Sequence, residues 1–286
     1  MFELEIQDLV YLDRNNLALG ARAYVPVGDG PFPTVVDAHG GSWVKGKYAN
    51  NDPINRRIAQ GGVMVLAVDY SLPPHGTYPS SVADINFAVR WLKLNAKKFR
   101  TSADLVGVMG TSAGGHLAVL AAMKPFDPRY CSIALSGGEA IDATAAHVVT
   151  MWPVICPATR YEENLERQAK GDKSLEHRVG AGFAQMKYWG DKEAMVDGSP
   201  VLALERGDSV ATPDILYVQA WCDTLHTKEN MDRFCRAYTS AGGNVETEML
   251  DGEPYDALRS APETPQARKA FERISAFLNG ARENTE

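Results

Sequence analysis

The chain has 286 residues, of which 45% are hydrophobic and 23% charged, and its formal net charge is −7. Such a composition is typical of a globular protein, and the length allows one or two domains with a large buried core. The negative charge without any basic run argues against nucleic acid or an anionic membrane surface as a partner, and no stretch approaches the length of a membrane span.

The N-terminus and the cysteines both bear on the location of the protein. The first six residues lack the basic start and apolar core of a secretory signal peptide. Four cysteines are scattered without the spacing of a metal site, and we interpret them as reduced thiols. These features predict a cytoplasmic protein that holds no metal ion.

Strands and helices alternate in the first third of the chain. Predicted strands cover residues 9–12, 17–24, Thr34–Ala38 and 63–68, and predicted helices cover 51–60 and 81–97. The second helix is predicted from Ile85, Ala88, Val89 and Leu92, which recur at the spacing of one helical face.

The strand Thr34–Ala38 runs into the sequence His39-Gly40-Gly41-Ser42-Trp43. A double glycine at the end of a strand allows the backbone to approach a ligand closely and leaves N–H groups free to donate. Together with a nucleophilic serine further along the chain, this loop predicts half of an oxyanion hole.

A nucleophile elbow is predicted at Gly110-Thr111-Ser112-Ala113-Gly114, which fits the pattern G-x-S-x-G. A valine-rich strand precedes it and the helix Ala113–Met123 follows, which is the context that the pattern requires. Ser112 must then occupy a strained turn, where side chains two residues to either side would crowd the backbone. The N–H group of Ala113 would face the oxygen that becomes negative when Ser112 attacks a carbonyl.

Residues 139–197 break the alternation that resumes after them. A strand is predicted at 131–135, and the following segment has helical pieces without a recognisable strand. An insertion at this point of an α/β core predicts a cap over the site. Its large apolar side chains are candidates either to line a pocket or to pack the cap on the core: Met151, Trp152, Phe183, Met186 and Tyr188.

The remaining elements complete an α/β fold. Strands are predicted at 215–219 and Val245–Leu250, with a helix after each. Strands that alternate with helices predict a mostly parallel central sheet flanked by helices on both faces. We therefore expect one core domain from residues 1–138 and 198–286, with residues 139–197 as an inserted cap.

Taken together, these motifs resemble the esterase and lipase group of the α/β-hydrolases, which includes hormone-sensitive-lipase-like carboxylesterases, acetyl esterases and kynurenine formamidases. The resemblance covers nearly the whole chain. It rests on the loop after Thr34–Ala38, the elbow, the proline loop at 69–75, Ser199-Pro200, Asp223 and the sequence Ala241-Gly242-Gly243.

The resemblance implies a role for several of these residues. Ser112 would be the nucleophile and Asp223 the acid of a catalytic triad, in the chain order Ser, Asp, His that this fold uses. The backbone N–H groups of Gly41, Ser42 and Ala113 would form the oxyanion hole. It also implies a small-molecule substrate, no organic cofactor or metal, and a monomer or homodimer.

The third member of the triad departs from the family pattern. Relatives end their last core strand with G-x-x-H, whereas this chain has Gly252-Glu253-Pro254-Tyr255 and no histidine beyond His226. The prediction is therefore a site of Ser112, Asp223 and Tyr255. A tyrosine with a pKa of about 10 is only ~0.1% ionised at pH 7, and a nearby carboxylate disfavours the phenolate further. Tyr255 would be a poor base and a better proton donor.

Another histidine is the alternative base. His226 lies three residues after Asp223 at the same end of the sheet, but the same position suits the start of the next helix, which we favour. His147 and His177 lie in the predicted cap. As substrate contacts we expect His39, Trp43, Trp152 and His226.

Four interpretations remain open from the sequence. The favoured one is a hydrolase of a small ester, amide or lactone, with Tyr255 in the site or with a rewired base such as His226. A second is a non-hydrolytic lyase or cyclase that uses Tyr255 for proton transfer, as in plant carboxylesterase-like cyclases. A third is a small-molecule receptor similar to the gibberellin receptors. The fourth is an ordinary esterase into which Tyr255 was introduced experimentally.

Overall fold

The computed structural model describes residues 1–14, 17–171, 185–252 and 254–283. Within them, eight strands form a single sheet in the order β1-β2-β4-β3-β5-β6-β7-β8. The strands are β1 Leu4–Arg14, β2 Leu17–Pro26, β3 Thr34–Ala38, β4 Met64–Val68, β5 Val106–Thr111, β6 Val148–Met151, β7 Ile215–Ala220 and β8 Val245–Leu250.

The sheet is antiparallel at one edge and parallel elsewhere. β2 pairs antiparallel with β1 and with β4, whereas every pair from β4 to β8 is parallel. Every residue of β3, β4, β5, β6 and β7 is buried. Strands covered on both faces need near-continuous apolar sequence, which explains the valine-rich runs of these five strands.

Helices cover both faces of the sheet. They are α1 Asp52–Gln60, α2 Ser80–Leu94, α3 Ala113–Met123, α4 Pro157–Ala169, α5 Met186–Trp189, α6 Lys192–Asp197, α7 Pro200–Glu205, α8 Lys228–Ser240, α9 Ala257–Ser260 and α10 Pro265–Glu283. Apolar side chains of α2, α3 and α8 share one core cluster, and those of α1 and α10 share the other. The predicted α/β architecture with a mostly parallel sheet is confirmed.

One predicted strand is wrong, and one real strand was not predicted. Residues 131–135 form no strand, although Ile133 and Leu135 are buried. The carbonyl of Ile133 instead accepts a hydrogen bond from the side chain of Arg90, 2.8 Å away. The sixth strand of the sheet is Val148–Met151, which lies inside the segment predicted as cap.

The described parts of that segment are therefore a core strand followed by helices. After β6 come α4, α5 and α6, and the last two of these helices bury Tyr188, Trp189 and Met195 in the core. His177 and Phe183 lie outside the described residues. Among the described residues, no helix combines the length and apolar character needed to cross a membrane.

The carboxyl ends of the parallel strands bring the predicted site residues to one edge of the sheet. Gly40 follows β3, Ser112 follows β5, Trp152 follows β6, and Asp223 follows β7. This edge is where open α/β sheets bind their ligands.

Candidate active site

Ser112 occupies a strained turn between β5 and α3. Its backbone has φ 50° and ψ −116°, a conformation that residues with a side chain rarely adopt. The flanking glycines make the turn possible. A Cβ atom on Gly110 would lie 2.5 Å from the backbone of Gly114, and one on Gly114 would lie 2.0 Å from the carbonyl oxygen of Ala38.

The neighbouring strand holds this turn in place. The N–H group of Ser112 donates to the carbonyl of Met151 at 2.9 Å, and the N–H of Val154 donates to the carbonyl of Ser112 at 3.2 Å. Both partners lie at or just beyond the end of β6. The strand absent from the prediction thus contributes directly to the position of the serine.

The loop at residues 39–46 also has an uncommon backbone. It is called the oxyanion loop below, after the role that the sequence predicts for it. Gly41, Ser42 and Trp43 have φ values of 130°, 53° and 61°. A Cβ atom on Gly41 would lie 1.8 Å from the carbonyl oxygen of Lys45, so only glycine fits there. Strain of this kind persists where surrounding structure enforces it, and it is concentrated at functional sites.

His39 and Trp43 were predicted as substrate contacts, but the structure places both in the core. His39 is buried, stacks on Tyr70 with ring centroids 4.3 Å apart, and its Nδ1–H donates to the carbonyl of Gly40 at 2.7 Å. Burial lowers the pKa of His39 to about 4, so the ring is neutral. The indole Nε1–H of Trp43 donates to Nδ1 of His116 at 3.2 Å. These two residues support the oxyanion loop from behind.

The loop at residues 221–227, called the β7 loop below, carries both an acid and a histidine. Oδ1 of Asp223 accepts hydrogen bonds from the N–H groups of Leu225 at 2.7 Å and His226 at 3.0 Å. This tight turn brings the His226 ring back over the acid, where its Nδ1 lies 2.8 Å from Oδ2 of Asp223. The side chain of Gln219 donates to the carbonyl of His226 and fixes the far end of the turn.

His226, and not Tyr255, lies between the serine and the acid. Nε2 of His226 is 3.2 Å from Oγ of Ser112, so one imidazole spans from nucleophile to carboxylate. The prediction of Tyr255 in this position therefore requires correction. The favoured interpretation of His226 as only the start of the next helix also requires correction, because its ring contacts both Ser112 and Asp223.

The carboxylate of Asp223 is stabilised in its charged form. Burial by itself would raise its pKa, but the hydrogen bond and charge of His226 and the two backbone N–H donors outweigh burial, and the pKa falls below its usual value. The Asp223 side chain is fully buried and that of His226 is nearly so. An ionised carboxylate in this position orients the ring and favours the tautomer with hydrogen on Nδ1.

A cavity of about 570 Å³ opens in front of Ser112. Its walls come from the oxyanion loop, the elbow, Leu225 and His226 of the β7 loop, and several larger side chains. Trp152 and Tyr255 pack edge to face in the wall, with ring centroids 6.2 Å apart, and the ring centroids of Tyr255 and His226 are 5.8 Å apart. Tyr255 is therefore in the site, as a wall residue next to the histidine.

The remaining pocket candidates lie elsewhere. Met151 is fully buried within β6, and Tyr188 is fully buried with its ring stacked on Trp43. Met186 packs partly buried against the core. Of the cap candidates in the described part of the chain, Trp152 alone lines the cavity.

Comparison with known proteins identifies the family. The family described as alpha/beta hydrolase fold matches residues 35–259 of the chain. Ethyl acetate hydrolase of Pseudomonas putida is 35% identical over 260 residues, which cover 89% of this chain and 76% of that protein. The chain belongs to the α/β-hydrolase family.

Several esterases match shorter segments of the chain or match it in fold. Esterase LipC of Mycobacterium tuberculosis is 36% identical over 101 residues, 35% of this chain and 25% of LipC, so the match spans about a quarter of that relative. An esterase structure from Pyrobaculum calidifontis superimposes with a TM-score of 0.76 at 23% identity, covering 96% of this chain and 85% of that one. A propionate-bound esterase from Thermogutta terrifontis gives a TM-score of 0.71 at 22% identity, covering 98% and 94%.

Sequence reasoning missed three basic residues of this α/β-hydrolase site. Lys45, Arg160 and Arg259 line the cavity, from the oxyanion loop, α4 and α9. No motif marks them, because arginine and lysine usually lie on solvated helix faces and only the fold directs these three inward. His226 did carry a signal, namely its spacing of three residues from Asp223.

Proposed function

We propose that this protein is a serine carboxylic ester hydrolase whose catalytic triad is Ser112, His226 and Asp223. The observation that carries the proposal is the continuous contact from Oγ of Ser112 to Nε2 of His226 at 3.2 Å and from Nδ1 to Asp223 at 2.8 Å. The acid and the base come from the same loop. The family membership and the strained backbone of Ser112 support this interpretation.

The first half-reaction follows from this geometry. With hydrogen on Nδ1 facing Asp223, Nε2 of His226 is the acceptor for the Ser112 hydroxyl proton. Ser112 Oγ attacks the ester carbonyl carbon as its proton passes to Nε2. The carbonyl oxygen becomes an oxyanion, for which the N–H groups of Gly41, Ser42 and Ala113 are the proposed donors.

The remaining steps complete the acylation of Ser112 and then restore the enzyme by deacylation. The tetrahedral intermediate collapses, the ester C–O bond breaks, and the departing alcohol takes the proton from His226. Water then attacks the acyl group on Ser112 while His226 accepts one of its protons. Release of the carboxylic acid returns that proton to Ser112.

In this scheme Tyr255 is a wall of the site and has no part in proton transfer. The lyase or cyclase interpretation depended on Tyr255 as the third member of the triad, a position that this proposal gives to His226. The receptor interpretation gave no reason for a histidine within hydrogen-bond distance of a strained serine. Both therefore lose their support to the hydrolase.

The proposed substrates are esters with small acyl and alcohol groups. A relative that covers most of the chain is named ethyl acetate hydrolase. A cavity of about 570 Å³ lies within the usual range of small-molecule sites, about 300–1,000 Å³.

Hydrolysis of 4-nitrophenyl acetate by the wild type and by Ser112→Ala, His226→Ala and Tyr255→Phe tests the proposal. We expect Ser112-dependent turnover that falls by about 10²–10⁴ in His226→Ala, because general-base assistance is worth that much. Tyr255→Phe should retain most activity. A wild-type rate that does not depend on Ser112, or an active His226→Ala variant, would refute the proposed triad.

A further inference from the structure

Arg160 is a buried arginine that faces the active-site cavity. It lies on α4, is only 8% exposed, and lines the cavity in front of Ser112. Its Nη1 atom is buried without a hydrogen-bond partner among the described residues. No carboxylate in that part of the chain lies within ion-pair distance of its guanidinium group.

A second arginine that is buried to the same extent shows the usual arrangement. Arg90 also has 8% exposure, but its Nε donates to Asn86 at 2.9 Å and its Nη2 to the carbonyl of Ile133 at 2.8 Å. Arg90 is satisfied by the protein. A buried charge without a partner is costly, so Arg160 is the exception that needs an explanation.

The charge on Arg160 persists at neutral pH. Burial lowers its pKa to about 10, although the acidic groups of Asp223, Tyr255 and Glu163 act in the opposite direction. A group with this pKa is protonated at pH 7, so the cavity wall carries a full positive charge there.

The other charged side chains of the described cavity wall are also basic. They are Lys45, which is exposed at the mouth, and Arg259, whose Nη2 is paired with Asp256 at 2.7 Å. The protein as a whole is acidic, with a net charge of −7. A basic cavity in an acidic protein concentrates anionic ligands at the site.

We propose that the ester substrate of this enzyme carries a carboxylate group and that Arg160 binds that carboxylate. This inference rests on the proposed ester hydrolase function and specifies its substrate class. A guanidinium group matches a carboxylate through two parallel N–H···O bonds, and such a pair would give the unpartnered Nη1 its acceptor. The carboxylate belongs to either the acyl part or the alcohol part of the ester.

Two matched ester pairs test the proposal and distinguish these sources. Ethyl hydrogen succinate and ethyl 4-methylpentanoate differ by a carboxylate or an isopropyl group on the acyl side. 3-Carboxyphenyl acetate and 3-isopropylphenyl acetate differ in the same way on the alcohol side. The readout is the ratio of kcat/KM for the anionic ester to that for the neutral ester, in the wild type, Arg160→Met, Arg160→Lys and the control Arg259→Met.

The wild type should prefer the anionic ester of one pair by about tenfold or more. Arg160→Met should lower that ratio by about 10- to 100-fold, the usual value of hydrogen bonds to a charged group. Arg160→Lys should retain part of the preference, since it keeps the charge and loses the paired geometry. Arg259→Met should lower the ratio far less than Arg160→Met, because Arg259 already has a partner.

Several results would overturn the inference. One is a wild-type ratio near one for both pairs. Another is an equal loss on anionic and neutral esters in Arg160→Met and Arg160→Lys, which would assign Arg160 to the electrostatics of Asp223 or to folding. Hydrolysis of the neutral esters reports on the ester hydrolase function separately from the ratio. If no ester is hydrolysed, calorimetric titration of succinate into the wild type and Arg160→Met decides whether Arg160 binds a carboxylate.

Discussion

The loops that follow β7 and β8 lie next to each other at the same edge of the sheet, yet they contribute differently to the site. The β7 loop holds Asp223 and His226 three residues apart, joined by a tight turn. The described residues 251–252 and 254–256, called the β8 loop below, contribute Tyr255 to the cavity wall. The resemblance to relatives assigned the base to the β8 loop, whereas the structure has a histidine of the β7 loop against Ser112.

Under the proposed triad, the position of the base depends on where its ring nitrogen lies and not on its order in the chain. His226 reaches Ser112 because Asp223 caps the turn through two backbone N–H groups and holds the ring through Nδ1. One carboxylate therefore fixes both the loop and the tautomer. A histidine from the β8 loop would depend on Asp223 for its tautomer only.

The largest expected effect comes from Asp223→Asn. It replaces the acceptor that holds the tautomer and also perturbs the turn, and the equivalent change in a serine protease triad costs about 10⁴ in kcat. Steady-state ester hydrolysis measures it. Asp251→Asn, an exposed acid in the β8 loop, is the matched control and should stay near the wild-type rate. Similar losses of kcat in both variants would contradict the different roles assigned to the β7 and β8 loops.

Three buried histidines outside the proposed triad should make the folded protein less stable in acid. Burial lowers the pKa of His39, His116 and His147 from 6.5 to about 4. They are neutral in the folded protein, while the unfolded chain binds protons below pH 6.5. The neutral state of each histidine therefore contributes fully to the free energy of unfolding above pH 6.5. This contribution is lost as the pH falls towards 4, and the loss is about 2 kcal/mol for each histidine at pH 5.

Asp37 acts in the opposite direction. Burial raises its pKa to about 6, against hydrogen bonds from Asn55 and Asn51, so the fold gains stability as the pH falls through 6. This gain offsets roughly 1 to 2 kcal/mol of the loss at pH 5. Urea denaturation at about pH 7 and about pH 5 should show a lower midpoint in acid. An unchanged midpoint would contradict the neutral state of the three histidines.

A smaller effect is expected from Gln219→Leu. The Gln219 side chain is buried and donates to the carbonyl of His226, so it supports the β7 loop without contact with substrate. Loss of one positioning hydrogen bond should lower kcat by about tenfold, with little change in KM. Measurement of kcat and KM for ester hydrolysis across a range of pH tests this prediction. A change in KM alone would show that Gln219 affects substrate binding instead.

Tyr255→Phe should have the smallest effect, within about threefold in kcat/KM. The substitution removes the hydroxyl and keeps the ring that packs near Trp152 and His226. A group that transfers no proton contributes none of the ~10²–10⁴ of general acid or base catalysis. A loss of that size in Tyr255→Phe would show that Tyr255 takes part in proton transfer.

Local signals in the sequence predicted much of the fold. The bounds of Thr34–Ala38, Ala113–Met123 and Val245–Leu250 agree with the structure, because glycine or proline lies close to both ends of each element. The apolar alternation at 131–135 reflects burial of Ile133 and Leu135, not pairing in the sheet. The strand Val148–Met151 has only four residues, which is too short for periodicity to reveal.

The site was predictable where chemistry imposes a pattern. A Cβ atom on Gly41, Gly110 or Gly114 would collide with neighbouring backbone, so the sequence must keep these glycines around Ser112 and in the oxyanion loop. The pairing of Asp223 with His226 depends on the path of one loop, and the inward direction of Arg160 depends on the placement of α4. The spacing of three residues between Asp223 and His226 is compatible with their pairing but does not determine it, and no spacing marks Arg160.

Covalent labelling of Ser112 by a fluorophosphonate tests the central claim most directly, because it reports on activation of the serine without dependence on substrate choice. Labelling rates would be compared for the wild type, His226→Ala and Tyr255→Phe, with unfolding midpoints to establish that each variant is folded. We predict that His226→Ala labels about 10²–10⁴ times more slowly and that Tyr255→Phe labels at nearly the wild-type rate. Rapid labelling of folded His226→Ala together with slow labelling of Tyr255→Phe would contradict the assignment of His226 as the base.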